Sequence, residues 1–201
     1  MILNKKAAMF GLDARIALAI FGALSVISGA ALYSAIQDAK VTALLSDLNE
    51  FGKAYESYYL DTGIDINMHD SYSIVGADLV KDPGVNGWTG PYLSYPIHGG
   101  TSNFLSYTPV KDTWIYMIKL KQQDFTSGTV HPDQCTDVKE CDMYVTIRAI
   151  NEDSQPYLKT MAKELSLKID GNDNLLTGNV RAMEISTVYN LYLKYMPAQS
   201  L

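Results

Sequence analysis

Two groups of side chains in this sequence have the types and spacing to do chemistry, and the first is a cysteine pair. Cys135 and Cys141 are the only cysteines among the 201 residues. In an exported protein, a close pair of this kind predicts a disulfide bond. Zinc binding is the alternative, but no CxxC or HxxxH motif lies nearby to complete a zinc site.

The second group is a cluster of Asp and Asn within residues 169–182. Asp170, Asn172 and Asn174 have the spacing of the first half of a calcium-binding loop, and Asp173 adds another oxygen. The segment lacks the central Gly and the later Glu of an EF-hand. Because Asp and Asn are also common in turns, calcium as a cofactor and a purely structural turn both stay open.

Catalytic motifs are missing from the sequence. His69, His98 and His131 are far apart and belong to no nucleophile or metal motif, and we expect His98 and His131 to face solvent. The sequence contains no G-x-S-x-G, no P-loop and no G-x-G-x-x-G. The net charge of −6 also argues against a nucleic-acid binder with a basic surface. We therefore predict that the chain is not an enzyme and binds no nucleic acid.

The element that must position the cysteine pair and the Asp and Asn cluster is a long apolar stretch near the N-terminus. Residues 14–36 contain a single charge, Arg15. A helix needs about 20 apolar residues to cross a bilayer, so the stretch predicts a membrane span. Beyond it, apolar residues recur every three or four positions and predict an amphipathic helix that continues to Leu60. These residues are Val41, Leu44, Leu48, Phe51, Tyr55 and Tyr58.

Three interpretations of the N-terminus stay open at this point. Lys5 and Lys6 precede the apolar stretch, as in a cleaved secretory signal or an uncleaved signal anchor. The third interpretation depends on Asp13, because an acid at the edge of an apolar span usually has a partner or a function. Local pairing of Asp13 with Arg15 is the alternative to such a function.

The segment MFGLDARIALAIFGALSVISGAALYSAI resembles the N-terminal helix of type IV pilins and type II secretion pseudopilins. In that family a prepilin peptidase removes a short basic leader and methylates the new N-terminus. Aligning residues 19–22 with the family's A-I-[IF]-G step implies cleavage between Ala8 and Met9. It also places Asp13 at the family's acidic position, which attracts the N-terminus of a neighbouring subunit. This chain has Ala8 and Asp13 where the family usually has Gly and Glu, and a cut after Gly11 is the alternative.

Two further segments carry the resemblance into the head. Residues 86–93 are similar to the W-x-G-P-Y-L signature of major pseudopilins, in which we expect Trp88 and Tyr92 to be core anchors. Residues 169–182 are similar to an I-D-G-rich stretch of pseudopilin-like proteins. Because type II major pseudopilins bind calcium in a head loop, the resemblance implies the same for Asp170, Asn172, Asp173 and Asn174.

The remaining periodicity predicts the elements of the head. Residues 113–121 and 142–150 alternate apolar and polar positions and predict two strands. Residues 152–167 predict a short helix, and residues 180–186 and 187–195 predict closing strands. We expect an α+β fold in which a long N-terminal α-helix packs on a globular head with an antiparallel β-sheet. The domains are a leader (1–8), a stem helix (9–60, spanning the membrane at about 14–36) and a head (61–201).

The resemblance implies a structural function. The chain is expected to be a subunit of a type IV pilus or a type II secretion pseudopilus, polymerised through its N-terminal helix. Its partners are then copies of itself and related pilins, the prepilin peptidase, the assembly platform with its ATPase, and inner-membrane lipid. Before assembly it is a single-pass protein of the inner membrane with a periplasmic head, which reaches the cell surface in a pilus. The alternative is a membrane-anchored extracytoplasmic binding domain that does not polymerise.

Overall fold

The computed structural model describes residues 5–70, 72–121, 125 and 141–198, with side chains from Asp13 onward. The chain divides into two compact units, Met1–Thr42 and Ala43–Leu201. The first helix, α1, runs from Lys5 to Thr62. A short 3-10 helix follows at Gly76–Leu79, and a second α-helix, α2, spans Gln155–Asp170.

The predicted amphipathic half of α1 is confirmed. Every position of the apolar stripe is buried, from Val41 and Leu44 through Leu48 and Phe51 to Tyr58. The helix ends where Gly63 adopts a left-handed φ of 70° and its amide donates to the Tyr59 carbonyl. A glycine in this conformation is a common way to close the last turn of a helix.

The head contains one antiparallel sheet with strand order β1-β2-β3-β5-β4. The strands are β1 (Leu105–Ser106), β2 (Thr113–Lys121), β3 (Cys141–Ala149), β4 (Val180–Ile185) and β5 (Val188–Pro197). The predicted α+β class, with the long helix packed on an antiparallel sheet, is thereby confirmed. The bounds of β2 are those predicted, and β3 begins and ends one residue earlier than expected.

The second helix begins three residues later than predicted. Asn151 to Ser154 form a turn in which the Ser154 amide donates to the Asn151 carbonyl, and Pro156 occupies the first helical turn. Proline is well accepted there because the first turn has no intrahelical partner for an N–H group. At the other end, α2 continues to Asp170, where Gly171 closes it with a φ of 71°.

The sheet carries apolar side chains on both faces. Successive side chains of a strand point to opposite faces, so alternate residues separate into two sets. Tyr195 of β5 lies against α1, which places the helix on one face. The other face holds a cluster rich in aromatic rings, namely Tyr116, Ile118, Leu120, Phe125, Tyr144, Met183 and Tyr192.

Candidate functional site

The N-terminal part of α1 is apolar and entirely exposed. Every residue from Asp13 to Ile36 is exposed, and Leu18, Phe21 and Val26 are each more than 70% accessible. Ala and Leu favour a helix here, and the segment contains no proline. Its mean hydropathy reaches 2.1 over an 18-residue window of which 0% is buried.

Such a surface requires apolar surroundings. Soluble monomers rarely expose a contiguous apolar patch larger than a few hundred Å². By length and composition this helix is able to cross a membrane, and an export signal near an N-terminus has the same composition. Within the segment, the Ser25 hydroxyl donates to the Phe21 carbonyl at 2.8 Å. A Cβ at Gly22 or Gly29 would meet nothing within 4 Å, so both positions leave room for another helix.

The residues of the expected processing site lie at the start of this segment. Ala8 and Met9 belong to the helical backbone of α1, and their side chains fall outside the described part of the chain. Asp13 and Arg15 are both exposed. Residues two apart on a helix do not face each other, so helix geometry disfavours the local pairing of Asp13 with Arg15.

The Asp and Asn cluster forms the loop between α2 and β4. Both carboxylate oxygens of Asp170 accept the Asn179 amide, at 3.0 and 3.1 Å, and the Val180 amide donates to one of them at 2.8 Å. Gly178, with a φ of 89°, is close to this carboxylate, because a Cβ there would lie 2.7 Å from it. Asp170 therefore joins the end of α2 to the start of β4.

The asparagines of the same loop also bind backbone amides. The side-chain oxygen of Asn172 accepts the Asn174 amide at 2.9 Å, and that of Asn174 accepts the Leu176 amide at 3.1 Å. These are the Asx turns that such residues commonly make. Among the described residues, no group of three or more His, Cys, Asp or Glu is placed to hold a metal. Calcium binding by Asp170, Asn172, Asp173 and Asn174 stays a prediction, and the hydrogen bonds favour the structural turn.

Of the two cysteines, the structure describes Cys141. It is disulfide-bonded, and it is buried at the start of β3. Cys135 is the other cysteine of the sequence and lies outside the described residues.

Trp88 and Tyr92 hold the loop of residues 86–93 in place. The Trp88 indole N–H donates to the Asp78 carbonyl at 2.9 Å, and the two rings meet edge to face with centroids 5.7 Å apart. The Tyr92 hydroxyl donates to the Asp61 carboxylate at 3.0 Å, and Thr89 donates to the same oxygen. Both aromatic residues are half-buried. Their contacts connect the end of α1 to the 3-10 helix, but both side chains lie outside the buried core, so they are not the core anchors that the sequence predicted.

The described histidines are not brought together. His69 lies beside Asp70, with its Nδ1 3.4 Å from a carboxylate oxygen. His98 does not simply face solvent as expected, since it is half-buried with its ring centroid 4.4 Å from that of Trp114. It lines a cleft of about 270 Å³ with Trp114, Lys111 and Asp112. His131 lies outside the described residues.

Sequence reasoning missed the tyrosine–carboxylate contacts that fix α1 on the head. The Tyr107 hydroxyl donates to Asp47 at 2.7 Å, and the Tyr55 hydroxyl donates to Asp65 at 2.7 Å. Burial, reinforced by these carboxylates, raises the pKa of both phenols. Asp65 also pairs with Lys119 of β2, with nitrogen and oxygen 3.6 Å apart. The high tyrosine content was the one available signal, and it does not identify the partners.

Comparison with protein-family models, with curated proteins and with solved structures gives no match for this chain.

Proposed function

We propose that this chain is a membrane-anchored structural subunit that polymerises through α1, as in a type IV pilus or a type II secretion pseudopilus. The observation that carries the proposal is the full exposure of the apolar segment from Asp13 to Ile36. Before assembly the segment lies in the inner membrane, and in the filament it packs against the same segment of other copies. Both surroundings provide the apolar environment that it requires.

The change from an exposed to a partly buried surface along α1 supports this proposal. The segment is exposed all round, whereas from Leu44 to Tyr58 one stripe of the same helix is buried in the head. The head therefore folds on the second part of the helix and leaves the first part to other molecules. The bonded Cys141 fits an exported head, because disulfides persist in oxidising compartments.

The proposal includes proteolytic processing. Cleavage between Ala8 and Met9 by a prepilin peptidase frees an N-terminal amine four residues before Asp13. In the apolar core of a filament, an amine and a carboxylate are each unfavourable alone and tolerable as a pair. Asp13 of one subunit then attracts the N-terminus of its neighbour.

The second candidate is an extracytoplasmic binding domain that is held by a single-pass membrane anchor and does not polymerise. The cleft beside His98 and Trp114 favours it, since such a depression is the kind of place where a small ligand binds. This candidate gives no role to Asp13 and leaves residues 1–8 attached.

The intact mass of the protein, measured from membranes and from sheared surface material, tests the proposal. We expect a mass reduced by residues 1–8 and increased by one methyl group. Presence in the sheared material then indicates a pilus, and absence from it indicates a pseudopilus or a minor subunit. A full-length mass found only in membranes would overturn the proposal and favour the anchored domain. A cut after Gly11 would retain processing and remove the role of Asp13.

A further inference from the structure

Two acid–base pairs flank the apolar segment of α1. Asp13 and Arg15 lie at its start, Asp38 and Lys40 lie just past its end, and all four side chains are exposed. No ion pair between described residues includes any of the four. All of them belong to the first compact unit.

Helix geometry separates the members of each pair. At 3.6 residues per turn, residues two apart point about 200° away from each other, so Asp13 and Arg15 lie on opposite faces. The same holds for Asp38 and Lys40. Charge neutralisation within a pair is therefore poor along a single helix.

The same geometry aligns the two pairs with each other. Asp13 and Asp38 are 25 residues apart, which is about 20° short of seven full turns. The two acids therefore share one face of α1, and Arg15 and Lys40 share the opposite face by the same spacing. The axial separation is about 37 Å at 1.5 Å per residue, compared with about 30 Å for a hydrocarbon core. The charges thus lie near the two boundaries of a membrane that this segment would cross.

We propose that copies of this chain pack side by side with the acidic face of one α1 against the basic face of the next. This inference rests on the proposed function, because it requires several copies with α1 in one membrane or filament. Copies anchored in one membrane share an orientation. A parallel neighbour then brings Arg15 to Asp13 and Lys40 to Asp38 at the same time, with an axial offset of about 3 Å between partners.

The kind of assembly follows from the use of two different faces. A twofold dimer uses the same patch on both subunits, whereas this contact joins unlike patches and leaves one of each free. Each added copy therefore presents a new acidic face or basic face to the next. Repetition of this contact builds rings or filaments. Each of the two charged faces of α1 is then occupied by another copy of this chain.

Zero-length cross-linking tests the proximity directly. The full chain is placed in phosphatidylcholine vesicles, in equal amounts of unlabelled and nitrogen-15-labelled protein, and treated with a carbodiimide that joins carboxylates to amines. We expect an amide between Asp38 and Lys40, with about half of the cross-linked peptides containing one labelled and one unlabelled copy. Cross-links confined to peptides of a single label would show pairing within one chain and would overturn the inference.

Charge reversal tests the energetics. Asp38→Lys makes both faces of α1 basic at this end of the segment, and Lys40→Asp makes both acidic, while Asp13 and Arg15 are left unchanged. We expect each variant alone to associate about threefold to tenfold more weakly than the wild type, as for exposed pairs that become repulsive. An equal mixture of the two variants restores association, because acidic and basic copies alternate. Lys53→Asp is the matched control, since it reverses an exposed charge of α1 within the head unit.

The outcomes separate this inference from the proposed function. If each single variant forms oligomers as well as the wild type does, and mixing the variants has no effect, the charge pairing alone would be overturned. That result is also the one expected if the four charges contact only lipid headgroups. Failure of the wild type to form any oligomer in these vesicles would overturn the inference, whereas the proposed function is tested separately by the intact mass of the protein from cells.

Discussion

The ring of Tyr195 on β5 lies directly on the backbone of α1 at Gly52. A Cβ at position 52 would overlap the Tyr195 ring. Glu56, four residues further along α1, acts with burial to raise the pKa of the Tyr195 phenol. Glycine inside a helix costs about 0.5–1 kcal/mol relative to alanine, so its presence here needs a reason. The close approach of the ring supplies that reason.

Gly52→Ala is therefore expected to destabilise the head although alanine favours helix. The added methyl group forces Tyr195 or the helix to move, and overpacking of this kind costs about 1–3 kcal/mol. Urea unfolding of the full chain in detergent, followed by Tyr fluorescence and circular dichroism, measures the change. Gly29→Ala is the matched control, because a Cβ there meets nothing within 4 Å.

A double mutant identifies the cause. In a Tyr195→Ala background, Gly52→Ala has nothing to displace and should be neutral or stabilising. Destabilisation of equal size in both backgrounds would contradict the role assigned to the ring.

The regular elements of the head were predictable because their signals are local. The alternation from Thr113 to Lys121 marks β2 at its observed bounds, and the buried stripe of α1 follows from spacing alone. The start of α2 was misplaced because the periodicity of its apolar residues does not record that Asn151 and Ser154 form a turn. Turns of this kind depend on side chains and backbone groups that no period reveals.

The contacts that fix α1 on the sheet were not predictable. Tyr107 and Asp47 are 60 residues apart in the sequence, and nothing near either residue indicates the pairing. The sequence contains 14 tyrosines, and only the fold determines which of them reach a carboxylate. The same applies to Gly52, whose role depends on a ring from the last strand.

Asp170→Ala is expected to destabilise the head by about 1–3 kcal/mol, because it leaves the amides of Asn179 and Val180 without their acceptor at the edge of the sheet. Thermal unfolding measures the loss. Asp173→Ala is the matched control, since it removes an exposed carboxylate from the same loop.

The effect of calcium on the unfolding temperature distinguishes a structural turn from a calcium site in this loop. If the loop is a structural turn, calcium leaves the unfolding temperature of the wild type unchanged and a chelator has no effect. A calcium-dependent rise that Asp170→Ala abolishes would instead establish the metal site.

Asp13→Ala is expected to leave the protein inserted and folded but to block its incorporation into filaments. Asp13 is exposed on α1 in the first compact unit, so its removal leaves the head unchanged. Membrane fractionation and the circular dichroism spectrum measure insertion and folding, and electron microscopy of sheared material measures assembly. Normal filaments from this variant would contradict both of the roles proposed for Asp13.

The phenols that face α1 predict how the head responds to alkaline conditions. Burial, with the carboxylates of Asp47 and Glu50 nearby, raises the pKa of Tyr95 to about 12. Burial, the hydrogen bond to Glu56 and its charge raise the pKa of Tyr195 to about 12. An unfolded tyrosine titrates near pH 10, so these groups keep their protons in the folded state where the unfolded chain has lost them. Their contribution to stability is therefore complete below about pH 10 and is lost as the pH rises through about 12.

We accordingly expect the free energy of unfolding to fall between about pH 10 and pH 12, with phenolate absorbance appearing as the head unfolds. The change should be smaller in Tyr107→Phe, because burial and the hydrogen bond to Asp47 also raise the pKa of Tyr107. That variant should lose about 1.5 kcal/mol at neutral pH, where the hydrogen bond to a charged group disappears. Tyr59→Phe, which removes an exposed phenol of the same helix, serves as the control. An alkaline transition unchanged in Tyr107→Phe, or ionisation of Tyr95, Tyr107 and Tyr195 near pH 10 before unfolding, would contradict the stabilising role of these contacts.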